Sequence, residues 1–342
     1  MSRAPIAVLA IGGDALFRPG DAGTHRDQVR GARRAARAVA TLVREGYRVV
    51  AVHGSRPQLG RELVRNEESS TKLPPQPLDV CVAATQGALG YLVATESRNE
   101  LRRLRIDRPV TSLLTWTLVG LDDPAFQHPT LPVGPTLPTW RAKALMRPGE
   151  AHYTEHAGQG WRRVVSSPEP IEILNLDAVE ALLDRGHVVL ASGGGGIPVA
   201  VDARGQLIGV EAVVDTDRAA SLLAQHLGAE LLCFLTGVDQ LYASFGRTDQ
   251  RAIERVSSTE LRALNDAGHF PADGVGIKVE AALEFVEDGG LRAVVTSPSR
   301  LAAALADRAG TRVMRVVEDG HVRRQLNLFP LPGNGELAEE EL

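Results

Sequence analysis

The stretch Ile6-Ala7-Val8-Leu9-Ala10-Ile11-Gly12-Gly13 decides the fold. Six apolar residues in a row, without alternation, describe a strand buried on both faces, and the glycine pair ends it in a turn. From Asp27 to Glu45 the chain is rich in Ala and Arg, helical in composition, and it stops at Gly46. A second β-branched run, Arg48 to Val52, then ends at His53-Gly54. Strand, helix and strand in that order make a right-handed βαβ unit. The pattern returns downstream. The run Leu182 to Leu190 leads into Gly193-Gly194-Gly195-Gly196, a helix from Asp217 to Leu227 precedes a strand Leu231 to Leu235, and a helix from Val279 to Glu287 precedes a strand Ala293 to Thr296. The expectation is an open α/β sheet with helices on both faces.

Composition narrows the chemistry. At 342 residues and 44% hydrophobic the chain can bury a substantial core, and with 4% aromatics that core is built from Val, Leu, Ile and Ala. A formal charge of -4 offers no general attraction to nucleic acid or to an anionic membrane, so positive charge for an anionic ligand must be gathered at one site. Cys81 and Cys233 lie far apart in apolar contexts, which points to two buried free thiols in a reducing cytoplasm rather than a disulfide. The segment Met1 to Pro5 carries no signal-peptide pattern, no apolar run reaches spanning length, and no Cys/His ligand cluster or basic stripe is present. A soluble protein without a membrane or nucleic-acid partner is expected. Between residues 122 and 165, prolines at 124, 129, 132, 135, 138 and 148 interrupt regular structure. That segment reads either as an inserted subdomain, a lid over the site, or as a long surface loop. The last dozen residues, Leu331 to Leu342, form an acidic tail expected to be disordered.

Three glycine turns follow strands: Gly12-Gly13, His53-Gly54, and Gly193 to Gly196. Ligands of open α/β sheets bind at the carboxyl ends of the strands, and glycine there lets backbone N–H groups approach phosphate oxygens. The tetraglycine reads as a phosphate cradle, against a merely tight turn. There is no G-x-x-x-x-G-K-[ST] motif and no G-x-G-x-x-G with a downstream acid, which excludes a P-loop NTPase and argues against a Rossmann dehydrogenase. Asp217, in Glu211-Ala212-Val213-Val214-Asp215-Thr216-Asp217, serves either as a helix cap or as an organiser of groups or magnesium near phosphates. Lys278 follows Gly274 and Gly276 at a helix start, where it opposes the helix dipole. A bound anion explains that placement; a solvated surface lysine is the plainer alternative.

These segments together resemble the carbamate kinase branch of the amino acid kinase family. The resemblance rests on Ala10-Ile11-Gly12-Gly13, His53-Gly54, Pro57-Gln58-Leu59-Gly60, the run Pro77 to Gly87, Asp122 to Phe126, Gly158 to Val165, Ser192 to Val199, Gly209 to Asp215, Leu235 to Tyr242, Gly268-His269-Phe270 and Lys278 to Ala282. It runs in order from about residue 6 to residue 315. It implies one three-layer αβα domain over residues 1–330 with a mainly parallel sheet, and a small protruding subdomain at 119–165. It also implies a homodimer, an acceptor site in the N-terminal half, and an ATP site in the C-terminal half. The reaction implied is transfer of a phosphoryl group between ATP or ADP, with Mg2+, and carbamate or a related small carboxylate-type acceptor, at the end of arginine or other nitrogen catabolism. By position Gly12, Gly13 and Gly54 would face the phosphate and acceptor, and Gly193, Gly194, Gly195 and Gly196 the phosphates. Asp217 would organise the charged groups and Lys278 neutralise the transferring group. Thr236, Gly237, Asp239 and Tyr242, with Gly276, would lie beside the nucleotide. No residue is assigned as a direct metal ligand.

Four departures stand out. Where the family has Gly-Gly-Asn this chain has Gly12-Gly13-Asp14, so an amide becomes a carboxylate that only accepts. His-Gly-Asn-Gly-Pro-Gln becomes His53-Gly54-Ser55-Arg56-Pro57-Gln58, Asp-Lys-Asp becomes Asp215-Thr216-Asp217, and Glu-Asp-Ala-Gly becomes Glu155-His156-Ala157-Gly158. Losing one preorganised donor at such a site costs about 10²–10³ in rate. One reading keeps the kinase: Arg56 fills the space left at Thr216 and restores the charge, with Asp14 paired to Arg56 or reading a different acceptor. The other is a catalytically altered homologue that binds nucleotide as a regulatory dimer. An exposed salt-bridge arginine is the plain alternative for Arg56.

Overall fold

The computed structural model describes residues 3–18, 20–146, 152–156, 160–271 and 274–315. The acidic tail at 331–342 and the pair Ala157-Gly158 lie outside the described residues. Eight strands form the main sheet: β1 (Ile6–Ile11), β2 (Arg48–His53), β3 (Val110–Ser112), β4 (Val188–Leu190), β5 (Leu231–Leu235), β6 (Arg255–Ser257), β7 (Arg292–Thr296) and β8 (Thr311–Met314). Their order is β6-β8-β7-β5-β1-β2-β4-β3. Every neighbouring pair is parallel except β7–β8. The expected mainly parallel sheet is therefore present, with β1 at its centre.

Why the strands read as unbroken apolar runs is visible in their packing. Successive residues point to opposite faces. Val8, Ala10, Val50, Val52, Leu232 and Phe234 enter one core, while Ala7, Leu9, Ile11, Val49, Ala51, Leu231, Cys233 and Leu235 enter the other. Both faces are buried, so alternation has nothing to mark. Five helices matter here: α1 (His25–Arg44), α2 (Arg56–Ser69), α3 (Leu78–Arg103), α4 (Thr216–His226) and α5 (Val275–Glu287). α1 and α3 supply apolar residues to the second core, and α4 and α5 to the first, which gives the three layers. Helix α3 is long and apolar enough to cross a membrane, but half of its 18-residue apolar window is buried in the fold. Both cysteines are free and buried, and burial pushes the Cys233 thiol up to about 12.

Helix boundaries differ from the sequence reading for identifiable reasons. α1 begins at His25 because Thr24 and Asp27 form a reciprocal capping box, so Asp27 is its third residue and not its first. The apolar run 182–190 divides into the end of a helix, Leu176–Asp184, and strand β4. α5 starts at Val275, one turn earlier than read, which places Lys278 in its first turn. Within 119–165, three antiparallel strands (Leu131–Leu137, His152–His156, Gly160–Val165) and a helix, Thr139–Leu145, replace the long loop. This small sheet docks on α2 where Gly60 meets Gly134; a Cβ on Gly60 would lie 2.4 Å from the Gly134 Cα.

The tetraglycine is explained by packing. Residues 193–196 are all buried, and Gly194, Gly195 and Gly196 have φ of 68°, 91° and 86°. A Cβ would meet the His53 imidazole at Gly193, the Ser55 Oγ at Gly194, the Val214 carbonyl at Gly195 and the Thr117 Oγ1 at Gly196, all within 2.4 Å. Gly195→Ala should therefore cost about 3 kcal/mol of stability, read as a lowered denaturation midpoint; an unchanged midpoint would show the turn to be permissive. His53, packed against Gly193, is held neutral by burial, its pKa falling to about 4 from 6.5. A folded-state pKa below the unfolded one means stability is complete above about pH 6.5 and lost as pH falls towards 4, by roughly 3 kcal/mol in all. His53→Gln should flatten that acid limb in a pH series of thermal melts, whereas an unaltered slope would assign it to other groups.

Candidate functional site

Among the described residues, the larger cavity, about 1270 Å³, opens at the carboxyl ends of β1 and β5. Gly12, Gly13 and Asp14 from the turn after β1 and Thr236 after β5 form its floor. One wall is the first half of α2, a second is Thr130–Pro135 with Arg162 from the small antiparallel sheet, and a third is Asp217 and Arg218 of α4 with the start of α5. The Gly60–Gly134 contact brings the first two walls together.

Charge on these walls is one-sided. Arg56, Arg61, Arg65, Arg162, Arg218 and Lys278 line the cavity against two carboxylates, Asp14 and Asp217. A chain of net charge -4 has thus concentrated cations at one place, as an anionic ligand requires. Lys278 and Asp217 form a buried ion pair, Nζ to Oδ2 2.8 Å, with side chains 8% and 12% exposed. The ammonium also sits 4.9 Å from the centroid of the Phe234 ring. Burial pushes the Asp217 carboxyl up; Lys278 pulls it back, neighbouring Asp215 adds to the rise, and Arg56 opposes it. The helix-cap alternative for Asp217 falls away because Asp215 is the cap: its Oδ1 accepts from the Asp217 N–H at 2.8 Å. That frees the Asp217 side chain for Lys278. Lys278 is correspondingly not a surface lysine.

Asp14 is held across the gap between two strand ends, not by Arg56. Its Oδ2 accepts from the Thr236 hydroxyl and the Gly237 N–H, each at 2.7 Å, and its Oδ1 accepts from the Ala15 N–H at 3.0 Å. It does not pair with Arg56. The donors it faces across the gap are a hydroxyl and a backbone amide, which suit an acceptor-only group. Arg56 is exposed and lines the cavity without an ion pair among the described residues. It acts at a distance, steadying the Asp217 carboxylate and lowering the Arg162 guanidinium, for which burial is the larger cause.

The other sequence candidates divide. Gly12, Gly13, Asp14, Arg56, Asp217, Thr236 and Lys278 come together at the cavity. Gly54 and Ser55 are buried beneath it, and Gly193 to Gly196, also buried, form a tight junction between strands and are not part of its lining. Thr216 is half-buried at the first turn of α4. Gly276 is buried, and its missing Cβ lets α5 pack on the Pro271 carbonyl at 2.3 Å from where that atom would be. Gly237 and Asp239 line a second cavity, and Tyr242 packs on Phe245 with ring centroids 5.8 Å apart. Arg61, Arg65, Arg162 and Arg218 were missed by the sequence reading. Arg61 and Arg65, four residues apart on α2, were findable as one basic helical face; Arg162 and Arg218 reach the cavity only in the fold.

Comparison with known proteins gives the same picture. The model of the amino acid kinase family matches residues 5–297. The carbamate kinase of Thermococcus kodakarensis is 40% identical over 311 residues, 90% of this chain and 98% of that protein. The carbamate kinase-like protein YahI of Escherichia coli is 36% identical over 313 residues, 91% and 99%. The structure of carbamate kinase from Giardia lamblia bound to AMP-PNP superposes with a TM-score of 0.85 at 35% identity, over 92% of this chain and 100% of that one. By the span of the sequence match and by the sheet order, the chain belongs to the amino acid kinase family and is a carbamate kinase-like, ATP-dependent phosphotransferase.

Proposed function

We propose that the larger cavity moves a phosphoryl group between ATP or ADP and carbamate or carbamoyl phosphate, with a related small carboxylate as the competing acceptor. The observation that carries this reading is Lys278: an ammonium nearly out of water, fixed 2.8 Å from Asp217 and opening onto a cavity with six cations and two carboxylates. Phosphoryl transfer asks little covalent chemistry of the protein and much positioning of positive charge. Lys278 meets the charge on the migrating group, and Asp217 holds the ammonium in place for it. Arg56, within electrostatic reach of Asp217, supplies the second cation that the family places at position 216. Backbone at Gly12 and Gly13 faces the acceptor, and Thr236 lies at the nucleotide side.

Magnesium enters with the nucleotide in this reading. Among the described residues no cluster of three or more potential ligands forms a cage. Asp215 is spent on the cap of α4 and Asp217 on Lys278, so the ion would be held chiefly by phosphate and water, with Asp217 near it, and would neutralise phosphate charge. A homodimer belongs to the same proposal. Leu114, Trp116, Leu121, Ile171, Val201 and Leu207 are exposed apolar side chains on or beside the small sheet formed by Trp116–Leu118, Glu172–Ile173, Ile197–Val201 and Leu207–Gly209, a surface suited to a second copy. Residues 1–330 act as one catalytic unit, with 119–165 as its projecting wall. A place in arginine or other nitrogen catabolism, in the cytoplasm, belongs to the same proposal.

The direct test is ADP release by the purified chain with Mg·ATP, scanned over carbamate and other small carboxylates. Turnover with carbamate is expected. Turnover only with another acid would move the acceptor, and none with any would remove the proposal. Lys278→Met should lower turnover about 10³-fold and, by stranding Asp217, cost about 3 kcal/mol of stability. Adding Asp217→Asn should recover stability without recovering turnover; recovery of both would strip Lys278 of its role. Thr216→Lys should raise carbamate turnover about tenfold, and a fall would mean that the site is built around Arg56.

A further inference from the structure

A second cavity of about 500 Å³ lies on the far side of Asp14 from the first. Arg18, Arg34 and Arg37 form one side, and Asp239, Ser297 and Ser299 another. The three arginines stand close enough that Arg18 and Arg37 add to burial in holding the Arg34 guanidinium below its ordinary value. Like charges gathered this way oppose one another unless something negative lies between them. Two nearby acids, Asp21 and Glu100, are shared with other arginines, and Asp21 only partly offsets the lowering of Arg34. Asp21 pairs with Arg30 at 3.3 Å, and Glu100 pairs with Arg103 at 2.7 Å. Arg34 donates to the Ala15 and Leu16 carbonyls, a structural task, while among the described residues Arg18 and Arg37 make no ion pair. Across the cavity Ser297 Oγ donates to Asp239 Oδ1 at 2.6 Å, and Arg300 lies 3.6 Å from the same carboxylate.

We infer that this second cavity binds a small multivalent oxyanion, a phosphate or polycarboxylate ligand, through the guanidinium groups of Arg18 and Arg37. Two planar forks match the paired oxygens of such a group, and the volume suits a metabolite. The wall between the two cavities is Asp14 itself, which holds Thr236 and Gly237 by one carboxylate oxygen. A ligand in the second cavity therefore touches the loop that floors the first. The site does not depend on which acceptor the first cavity uses.

The test is calorimetry on the full chain in moderate salt, titrating pyrophosphate and citrate separately, with thermal melts confirming that each variant is folded. Wild type should bind at least one of them, and the pair distinguishes a phosphate from a carboxylate preference. Arg18→Gln with Arg37→Gln should weaken that binding about tenfold or more, while Arg33→Gln on the same helix and Lys278→Met in the first cavity should leave it in place. Equal binding of the anions by wild type and the Arg18/Arg37 variant overturns the inference, as does loss of binding only in Lys278→Met. Absence of binding by wild type up to about 10 mM does so too.

Discussion

Asp217 and Lys278 face each other at 2.8 Å with almost no water around them, and the working end of the molecule is organised about that pair. Taking two ions out of water costs several kcal/mol each, and their attraction offsets this only when geometry is good. The fold supplies the geometry. Asp215 takes over capping of α4, α5 starts one turn before Lys278, and the Phe234 ring lies beneath the ammonium. The pair contributes little net stability by this reckoning. It fixes a cation at a chosen point of the cavity, so that no reorganisation is needed when a phosphate arrives.

Glycine does a related job by allowing close approach. At Gly193 to Gly196 the neighbours fill the space a side chain would need, which brings β2, β4 and the turn before α4 into one junction beneath the cavity. At Gly60 and Gly134 it lets the small antiparallel sheet lie directly on α2. Both contacts shape the site without touching its ligand. The tetraglycine thus has a packing role of its own, its residues enclosed by His53, Ser55, Thr117 and Val214.

Much of the architecture was legible because both faces of the strands are buried, and runs such as Ile6–Ile11 and Leu231–Leu235 admit few other readings. The order of motifs was enough for the family. At the site, Lys278, Asp217 and Gly12-Gly13 were legible because their residue types conflict with, or exceed, what local structure needs. The partners of Asp14 were not legible, since Thr236 and Gly237 lie more than two hundred residues away, and no local rule pairs a carboxylate with a distant amide. Two arginines of the cavity wall were invisible for the same reason: Arg162 and Arg218 reach one cavity only after three layers and a small sheet have assembled.

The central place of β1 also bears on synthesis. One neighbour, β2, follows within some forty residues, but the other, β5, ends only at Leu235. At ribosomal speeds of about 5–20 residues per second, one edge of this central strand stays open for roughly 10–45 seconds. During that interval the apolar run Ile6–Ile11 offers a template to any passing chain. Final closure joins segments so distant that it must be slow. The nascent N-terminal half is accordingly the stage at which a holding chaperone would do most for this protein.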